Sequence, residues 1–269
     1  MKKIVLFFYI KIALLIYALI GSLLFIFQDR LLFHPEAINQ DSSYQFNQPY
    51  QESVIPLDAT TKFHVVHFTV PDSIRKGVVL YFHGNRKNIG HYAQFAKNFT
   101  RNNYEVWMID YPGFGKSIGA LTEENLYEGA LQLYMLAKLR FKPSQIIIYG
   151  KSIGTGVATQ LASVRDCKQL ILETPYYSME SLLSRYLFMY PLNKLMHFKF
   201  PSNEYIQKVT APVTIFHGAD DGVIAYSNAQ KLTAHFKKVD EFITIPEGTH
   251  TNLNSFPAMQ DKLNSMLRE

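Results

Sequence analysis

Two patterns of apolar positions divide the chain. Residues 4–27 form a nearly unbroken apolar run that only Lys11 interrupts. As an α-helix this run would extend about 36 Å at 1.5 Å per residue, which exceeds the hydrocarbon thickness of a bilayer. From residue 54 onward, short β-branched and aromatic runs alternate with longer stretches of helical periodicity. This alternation is typical of βαβ units around a parallel sheet.

The apolar run is interpreted as an uncleaved membrane anchor comprising residues 1–30. A cleaved signal peptide is the alternative, but its apolar core usually has about 7 to 15 residues and ends at a small-residue site. No good site of that kind stands in 18–22. Lys2 and Lys3 precede the run and predict a cytoplasmic N-terminus, with the rest of the chain on the non-cytoplasmic side of a single-pass membrane protein. Arg30 reduces this charge asymmetry.

Residues 31–53 are predicted to connect the anchor to a domain at 54–269. Each predicted strand there is a short apolar run, as expected for buried parallel strands. Strands are predicted at 62–70, 77–82, 104–109, 145–149, 169–172, 213–216 and 242–245. Helices are predicted at 89–102, 123–140, 153–164, 227–237 and 253–267. The aromatic-rich stretch 174–209 breaks the alternation and is interpreted as a cap inserted over the sheet.

Composition and charge exclude several classes of protein. The chain has 269 residues, of which 48% are hydrophobic and 18% charged, so it is not a disordered protein. A single cysteine, Cys167, excludes an internal disulfide and a multi-cysteine metal site. The formal net charge is +5. Lys2, Lys3 and Lys11 of the apolar segment supply more than half of it, so no electrostatic argument for nucleic-acid binding remains.

The sequence Gly150-Lys151-Ser152-Ile153-Gly154 lies between a predicted strand and a predicted helix. In that context G-x-S-x-G forms a nucleophile elbow, in which glycines on both sides allow the sharp turn that exposes the serine. Ser152 is therefore the candidate nucleophile. The backbone N–H of Ile153, directly after it, is a candidate donor to the oxyanion of an acyl-transfer intermediate.

A serine hydroxyl needs a base, and the base needs a carboxylate to orient it. His250 follows the last predicted strand and is the candidate base. Asp220 and Asp221 follow the preceding strand, and position alone does not choose between them. Glu173 is a third candidate, with a helix-cap or loop-anchoring carboxylate as its alternative role. The order serine, acid, histidine is that of α/β-hydrolases.

Seven segments carry a resemblance to a known family: QDRLLFHP, YFHGN, DYPGFGKS, YGKSIG, ETPYYSM, FHGADDGVI and EGTHTNL. From Gln28 onward the chain resembles α/β-hydrolases, and in particular membrane-anchored serine hydrolases related to dipeptidyl and acylaminoacyl peptidases. The resemblance implies a mostly parallel sheet flanked by helices, with Asp221 rather than Asp220 as the acid. It also implies that the N–H of Asn85 is the second oxyanion donor. Relatives of this kind act as lysophospholipid or monoacylglycerol lipases and as protein depalmitoylases.

The cap at 174–209 is interpreted as the lining of an acyl-binding pocket, with ordinary helix packing as the alternative. Tyr176 and Tyr177 are its candidate substrate-binding residues. The sequence thus predicts a membrane-anchored serine hydrolase that cleaves esters or thioesters of lipid or acylated substrates and needs no metal or organic cofactor. A serine peptidase or aminopeptidase of the same fold and a catalytically silent lipid-binding protein are the alternatives. Acyl length, head group and oligomeric state are left open.

Overall fold

An eight-stranded, mostly parallel sheet forms the centre of the computed structural model, which describes residues 2–268. The strands within that range are β1 (His34–Pro35), β2 (Tyr50–Pro56), β3 (Lys62–Phe68), β4 (Gly77–Phe82), β5 (Arg86–Lys87), β6 (Tyr104–Ile109), β7 (Ile146–Lys151), β8 (Gln169–Glu173), β9 (Val213–Gly218) and β10 (Glu241–Ile245). The main sheet has the order β10-β9-β8-β7-β4-β6-β3-β2, and β1 pairs with β5 separately. Only β3 runs antiparallel to its neighbours, β2 and β6.

Helices cover both faces of the sheet. The α-helices in the described range are α1 (Lys2–Leu32), α2 (Ile89–Tyr92), α3 (Lys97–Thr100), α4 (Glu123–Lys138), α5 (Gly154–Val164), α6 (Met179–Leu187), α7 (Leu192–Leu195), α8 (Ser202–Tyr205), α9 (Tyr226–Gln230) and α10 (Pro257–Arg268). Shorter 3₁₀ turns lie at Ala93–Phe95, Pro143–Gln145, Ile206–Lys208, Lys231–His235 and Leu253–Ser255. The predicted helices at 89–102 and 227–237 are therefore helical but interrupted by 3₁₀ turns.

The central strands bury both of their faces. Every residue of β4, β6, β7 and β9 is buried. Because successive side chains of a strand point to opposite faces, Leu80 joins the core beneath α4 and α5, whereas Tyr81 joins the core beneath α3 and α10. The predicted α/β fold and its seven strands are confirmed, with strand ends shifted by one or two residues.

The strand β2 was not predicted. It lies within residues that the sequence analysis assigned in part to the connector, and only Ile55 among its residues is buried. The residues before β2 also pack against the domain. Phe33 is buried, and β1 pairs in parallel with β5, which follows β4 along the chain. The predicted connector is therefore a packed strap along the domain.

The parallel order of β7, β8, β9 and β10 brings four loops to one edge of the sheet. Ser152 follows β7, Thr174 follows β8, Asp221 lies three residues after β9, and His250 lies five residues after β10. Since these strands are neighbours, their carboxyl ends form one continuous edge, where ligands of open α/β sheets bind. The chain between β8 and β9 forms the cap, which contains α6, α7 and α8.

Candidate active site

The turn between β7 and α5 holds Ser152 in a left-handed backbone conformation with φ of +52°. Such a conformation is unfavourable for a residue with a side chain and persists only where the surroundings enforce it. A Cβ on Gly150 would lie 2.6 Å from the Gly154 carbonyl oxygen, and one on Gly154 would lie 2.2 Å from that of Phe82. Both glycines are therefore required by close packing. The Ser152 N–H donates to the Glu173 carbonyl at 2.9 Å.

His250 bridges the other two predicted members of the triad. Its Nε2 lies 2.8 Å from Ser152 Oγ, and its Nδ1 lies 2.8 Å from Asp221 Oδ2. The other oxygen of Asp221 accepts from the N–H groups of Val223 and Ile224 at 2.8 and 2.9 Å. The structure thus brings together three side chains from the loops after β7, β9 and β10. A hydroxyl, an imidazole and a carboxylate so arranged have the geometry for proton transfer from the hydroxyl.

The environment of Asp221 keeps its carboxylate ionised. Burial on its own would raise the pKa, but the hydrogen bond and charge of His250, together with the two backbone donors, outweigh burial and lower the pKa of Asp221. Its side chain is fully buried, whereas Asp220 is exposed. Of the two neighbouring aspartates, the structure therefore places Asp221 against the imidazole.

The two predicted oxyanion donors belong to backbone near Ser152. Ile153 directly follows Ser152, and Asn85 follows Gly84, where an added Cβ would lie 3.6 Å from the Ser152 Cβ. Neither the Ile153 nor the Asn85 N–H donates a hydrogen bond within residues 2–268. The Asn85 carbonyl accepts from the His34 N–H at 2.8 Å, so the strap after α1 fixes this loop.

Comparison with known proteins identifies relatives over much of the chain. A family model described as serine aminopeptidase, S33, matches residues 73–203. The alpha/beta hydrolase domain-containing protein 17C of Xenopus tropicalis is 30% identical over 194 residues, which cover 70% of this chain and 61% of that protein. The lysophosphatidylserine lipase ABHD12 of Danio rerio is 34% identical over 176 residues, 58% of this chain and 46% of that protein.

Solved structures show the same fold. An esterase of Pyrococcus furiosus superposes with a TM-score of 0.68 at 18% identity, covering 87% of this chain and 98% of that one. A soluble variant of the monoglyceride lipase of Saccharomyces cerevisiae superposes with a TM-score of 0.63 at 17% identity, covering 86% and 98%. The chain belongs to the α/β-hydrolase superfamily. It spans about three fifths of the length of the curated relatives it matches first.

Glu173, the third carboxylate candidate, has different partners in the structure. It is fully buried at the end of β8 and accepts hydrogen bonds from the Tyr149 hydroxyl and the Lys151 ammonium. The side-chain amide of Asn254 donates to it at 3.0 Å. Because Asn254 follows His250 on the same loop, Glu173 anchors the loop that carries the imidazole and does not itself contact that imidazole.

His217 was missed by sequence reasoning. It is fully buried beside Asp221, with its Nε2 3.0 Å from the Ile224 carbonyl oxygen, to which it donates. Burial lowers the pKa of His217, so the ring stays neutral next to the carboxylate. It thereby holds the 221–224 turn whose N–H groups bind Asp221. The signal available in the sequence was its place at the end of a strand, four residues before that aspartate.

An apolar cavity of about 170 Å³ lies between α1 and the cap. Its walls include Gly21 and Leu24 of α1 and Leu183 and Leu187 of α6. Neither predicted substrate-binding tyrosine lines it. Tyr176 is buried beneath the elbow, where its hydroxyl donates to the Ile153 carbonyl at 3.1 Å. The ring of Tyr177 stacks on the ring of His235 at a centroid distance of 6.2 Å.

Proposed function

We propose that this protein is a membrane-anchored serine hydrolase that cleaves carboxylic esters or thioesters of lipid or acylated substrates. The observation that carries the proposal is the bridging imidazole of His250, which lies within hydrogen-bond distance of both Ser152 and Asp221. Superfamily membership supports it, because the nucleophile elbow is the catalytic device of this fold.

The reaction proceeds through an acyl-enzyme. Ser152 Oγ attacks the carbonyl carbon while His250 Nε2 accepts the hydroxyl proton, and Asp221 holds the Nδ1–H and stabilises the imidazolium. The N–H groups of Ile153 and Asn85 bind the oxyanion, each contributing about 2.7 to 4 kcal/mol to lowering the barrier. Collapse of the intermediate passes the proton from His250 to the leaving alcohol or thiol. Water, activated by the same imidazole, then releases the acid and restores Ser152.

The preference for lipid esters is supported by the apolar cavity between α1 and the cap and by α1 itself. Within residues 2–268, α1 is the one helix long and apolar enough to cross a bilayer by length and composition. We assign residues 1–30 to the anchor, with 31–53 as the strap and 54–269 as the hydrolase domain carrying the 174–209 cap. Lys2 and Lys3 place the N-terminus in the cytoplasm and the domain on the opposite side.

The nucleophile is tested by labelling the full-length protein with a fluorescent fluorophosphonate. The wild type is expected to react and Ser152→Ala to remain unlabelled. Ser163→Ala, on the half-buried side of α5, is the matched control and should label like the wild type. Equal labelling of Ser152→Ala, or a folded wild type that does not react, contradicts the mechanism.

A peptidase is the second candidate, since the matching family model is described as a serine aminopeptidase. Amide and ester hydrolysis share the acyl-enzyme chemistry, so substrate comparison separates them. We expect the wild type to cleave long-chain acyl esters in preference to aminoacyl amides. Preference for the amides would assign it to the peptidases, and lipid binding without fluorophosphonate labelling would make it a silent binding protein.

The anchor is tested independently of catalysis. Full-length protein in sealed microsomes should resist extraction with alkaline carbonate, and an N-terminal epitope should be digested by protease added to the cytoplasmic face. A domain that is digested while the epitope is protected would reverse the proposed orientation. Release into the carbonate supernatant would exclude a membrane-spanning anchor.

A further inference from the structure

The C-terminal half of α1 packs on the cap along one helical stripe. Tyr17, Gly21, Leu24 and Gln28 are half-buried, whereas most of the helix around them is exposed. Their spacing of four, three and four residues places them on a single face. Every described residue of α1 before Tyr17 is exposed. One face of the predicted anchor therefore packs on the cap, and the remaining surface of α1 is available to contact the bilayer.

An aromatic clamp closes one end of this contact. The rings of Tyr17 and Tyr190 are parallel and stack at 4.5 Å. The Tyr17 hydroxyl donates to the Met189 carbonyl at 2.7 Å, and the Tyr190 hydroxyl donates to the Tyr17 carbonyl at 3.0 Å. Both hydroxyls are therefore satisfied inside an apolar stretch, where an unpaired polar group would be costly. This clamp fixes residues 186–190, which form the tip of the cap, to α1.

A polar clamp closes the other end. The side-chain amide of Gln28 donates to the Leu195 carbonyl at 3.0 Å, and its oxygen accepts from the His197 N–H at 2.7 Å. The next residue, Asp29, places an oxygen 2.9 Å from His197 Nδ1. The two clamps hold α1 against the cap at two levels.

The apolar cavity lies along the contact between α1 and the cap and extends past Gln28 to Leu32. Gly21 and Leu24 form its wall on α1, and Leu183, Leu187 and Met196 form the facing wall on the cap. A Cβ on Gly21 would lie 2.8 Å from a ring carbon of Tyr190, so glycine permits this close approach. The helix α1 and the cap contact each other at the two clamps, and the space beside these contacts is lined mainly by hydrocarbon.

The tip of the cap lies at the level of the apolar part of α1. Tyr17 precedes Phe27 by ten residues, about 15 Å along a helix, which is about half the hydrocarbon thickness of a bilayer. Beside Tyr17, the tip exposes Tyr186, Phe188 and Met189 at 68, 78 and 65%. When α1 spans a membrane, these side chains lie in the hydrocarbon of the adjoining leaflet, and the cavity lies at the same depth.

The end of the cavity near Leu32 borders the loop after β4, which contains Asn85. Leu32 and Phe198 line this end. The Leu32 carbonyl accepts a hydrogen bond from the side-chain amide of Asn85, and Phe198 packs against Phe33 with ring centroids 4.7 Å apart. The cavity therefore runs from the level of the bilayer toward the backbone that is proposed to bind the oxyanion.

We propose that α1 is one wall of an acyl-chain site, and that the hydrocarbon chain of a membrane lipid or lipidated substrate enters the cavity laterally from the leaflet. The acyl chain of the substrate lies between Leu24 and the leucines of α6, and the ester of the substrate faces Asn85 and Ser152. The anchor thereby takes part in substrate binding. The occupant is an acyl chain because both walls and the surrounding bilayer are apolar. This inference rests on the proposed function only for the reaction that follows binding.

Binding is tested without reference to hydrolysis. Full-length protein in phosphatidylcholine vesicles is exposed to palmitic acid carrying a photoactivatable diazirine near its methyl end, and the cross-links are mapped by mass spectrometry. We expect cross-links to Leu24 and to α6 at Leu183 or Leu187. Leu24→Trp, which fills the cavity, should abolish the cross-links to α6. Leu23→Trp, on the exposed side of α1, is the control and should retain them.

Kinetics separate this inference from the proposed function. Leu24→Trp should raise the KM for a palmitoyl ester about tenfold, equivalent to the lost burial of roughly two methylene groups, and raise it more than the KM for a butyryl ester. Leu23→Trp should match the wild type on both esters. Equal behaviour of the two variants, or cross-links confined to lipid-facing residues, overturns the acyl-chain site. A wild type that hydrolyses no ester overturns the proposed function, while the cross-links still decide the site.

Discussion

The carboxyl edge of the sheet and the contact between α1 and the cap are held in different ways. At the sheet edge, Ser152 and Asp221 follow strands that are buried along their whole length. At the cap, the contact depends on half-buried side chains and a few hydrogen bonds from Tyr17 and Gln28. The comparison indicates that buried strands fix the positions of Ser152 and Asp221, whereas half-buried side chains hold α1 on the cap.

The same contrast separates the polar groups of the two regions. Beneath the elbow, Glu173 is satisfied by three side-chain donors and is fully buried. Around the cavity, Tyr190 and Gln28 supply the polar side chains of the lining, and the other lining residues are apolar. Substitutions should therefore cost reaction rate or stability at the sheet edge but alter chain-length preference at the cap.

The largest expected effect is on the rate at the sheet edge. Asp221→Asn should lower kcat/KM by about 10⁴-fold, because the amide no longer stabilises the imidazolium or fixes its tautomer. Asp220→Asn, at the exposed neighbouring position, should remain close to the wild type. Steady-state hydrolysis of a short-chain ester measures both. A strong loss in Asp220→Asn with little loss in Asp221→Asn would contradict the assignment that the structure supports.

The next effect is on stability beneath the elbow. Glu173→Gln should lower the free energy of unfolding by about 3 to 5 kcal/mol, because it leaves the Lys151 ammonium buried without a charged partner. Glu124→Gln, at an exposed position in the first turn of α4, should change it by about 0.5 kcal/mol or less. Denaturant unfolding in detergent compares the two variants. Equal stabilities would show that the Lys151–Glu173 pair is not a structural support.

A smaller effect is expected at the polar clamp of the cap. Gln28→Ala removes two hydrogen bonds, each contributing about 1 kcal/mol net, so the cap should open more often. Hydrogen exchange of the His197 amide should then accelerate about thirtyfold, since the two bonds together contribute about 2 kcal/mol and each 1.4 kcal/mol corresponds to one factor of ten. Arg30→Ala, on an exposed side of α1, is the control. Unchanged exchange in Gln28→Ala would argue against a closed contact in solution.

The smallest effect is a pH dependence at Asp221. Its pKa is lower in the folded protein than the ordinary value of 3.8, so the ionised carboxylate stabilises the fold above that value. This contribution is lost as the pH falls through the folded pKa. The advantage of the wild type over Asp221→Asn in unfolding free energy should therefore shrink below about pH 4. An advantage that grows on acidification would reverse the sign and contradict the lowered pKa.

The sequence predicted the sheet and the elbow because both have local signals. Buried parallel strands appear as short apolar runs, and Gly150, Ser152 and Gly154 mark a turn with strict packing requirements. The edge strand β2 was missed because Gln51 and Glu52 are both exposed and break the apolar pattern. A strand of this kind is identified by its pairing with β3 rather than by its own composition.

The contact between α1 and the cap had no local signal at all. Tyr17 and Met189 are 172 positions apart along the chain, and Gln28 lies 167 positions from Leu195. An apolar run of anchor length predicts a helix facing lipid on all sides. Several polar side chains stand in or beside that run, and nothing in the sequence distinguishes Tyr17 and Gln28 from the others; the segment that these two residues meet depends on the folded cap.

Trapping the acyl-enzyme tests the proposed mechanism most directly. Full-length protein is mixed with p-nitrophenyl palmitate, quenched in acid during the first turnover and digested for mass spectrometry. We expect a palmitoyl group on the peptide containing Ser152 and none on the corresponding peptide of Ser152→Ala. Release of nitrophenol by the folded wild type with no acylated peptide, or with the acyl group on another residue, would contradict it.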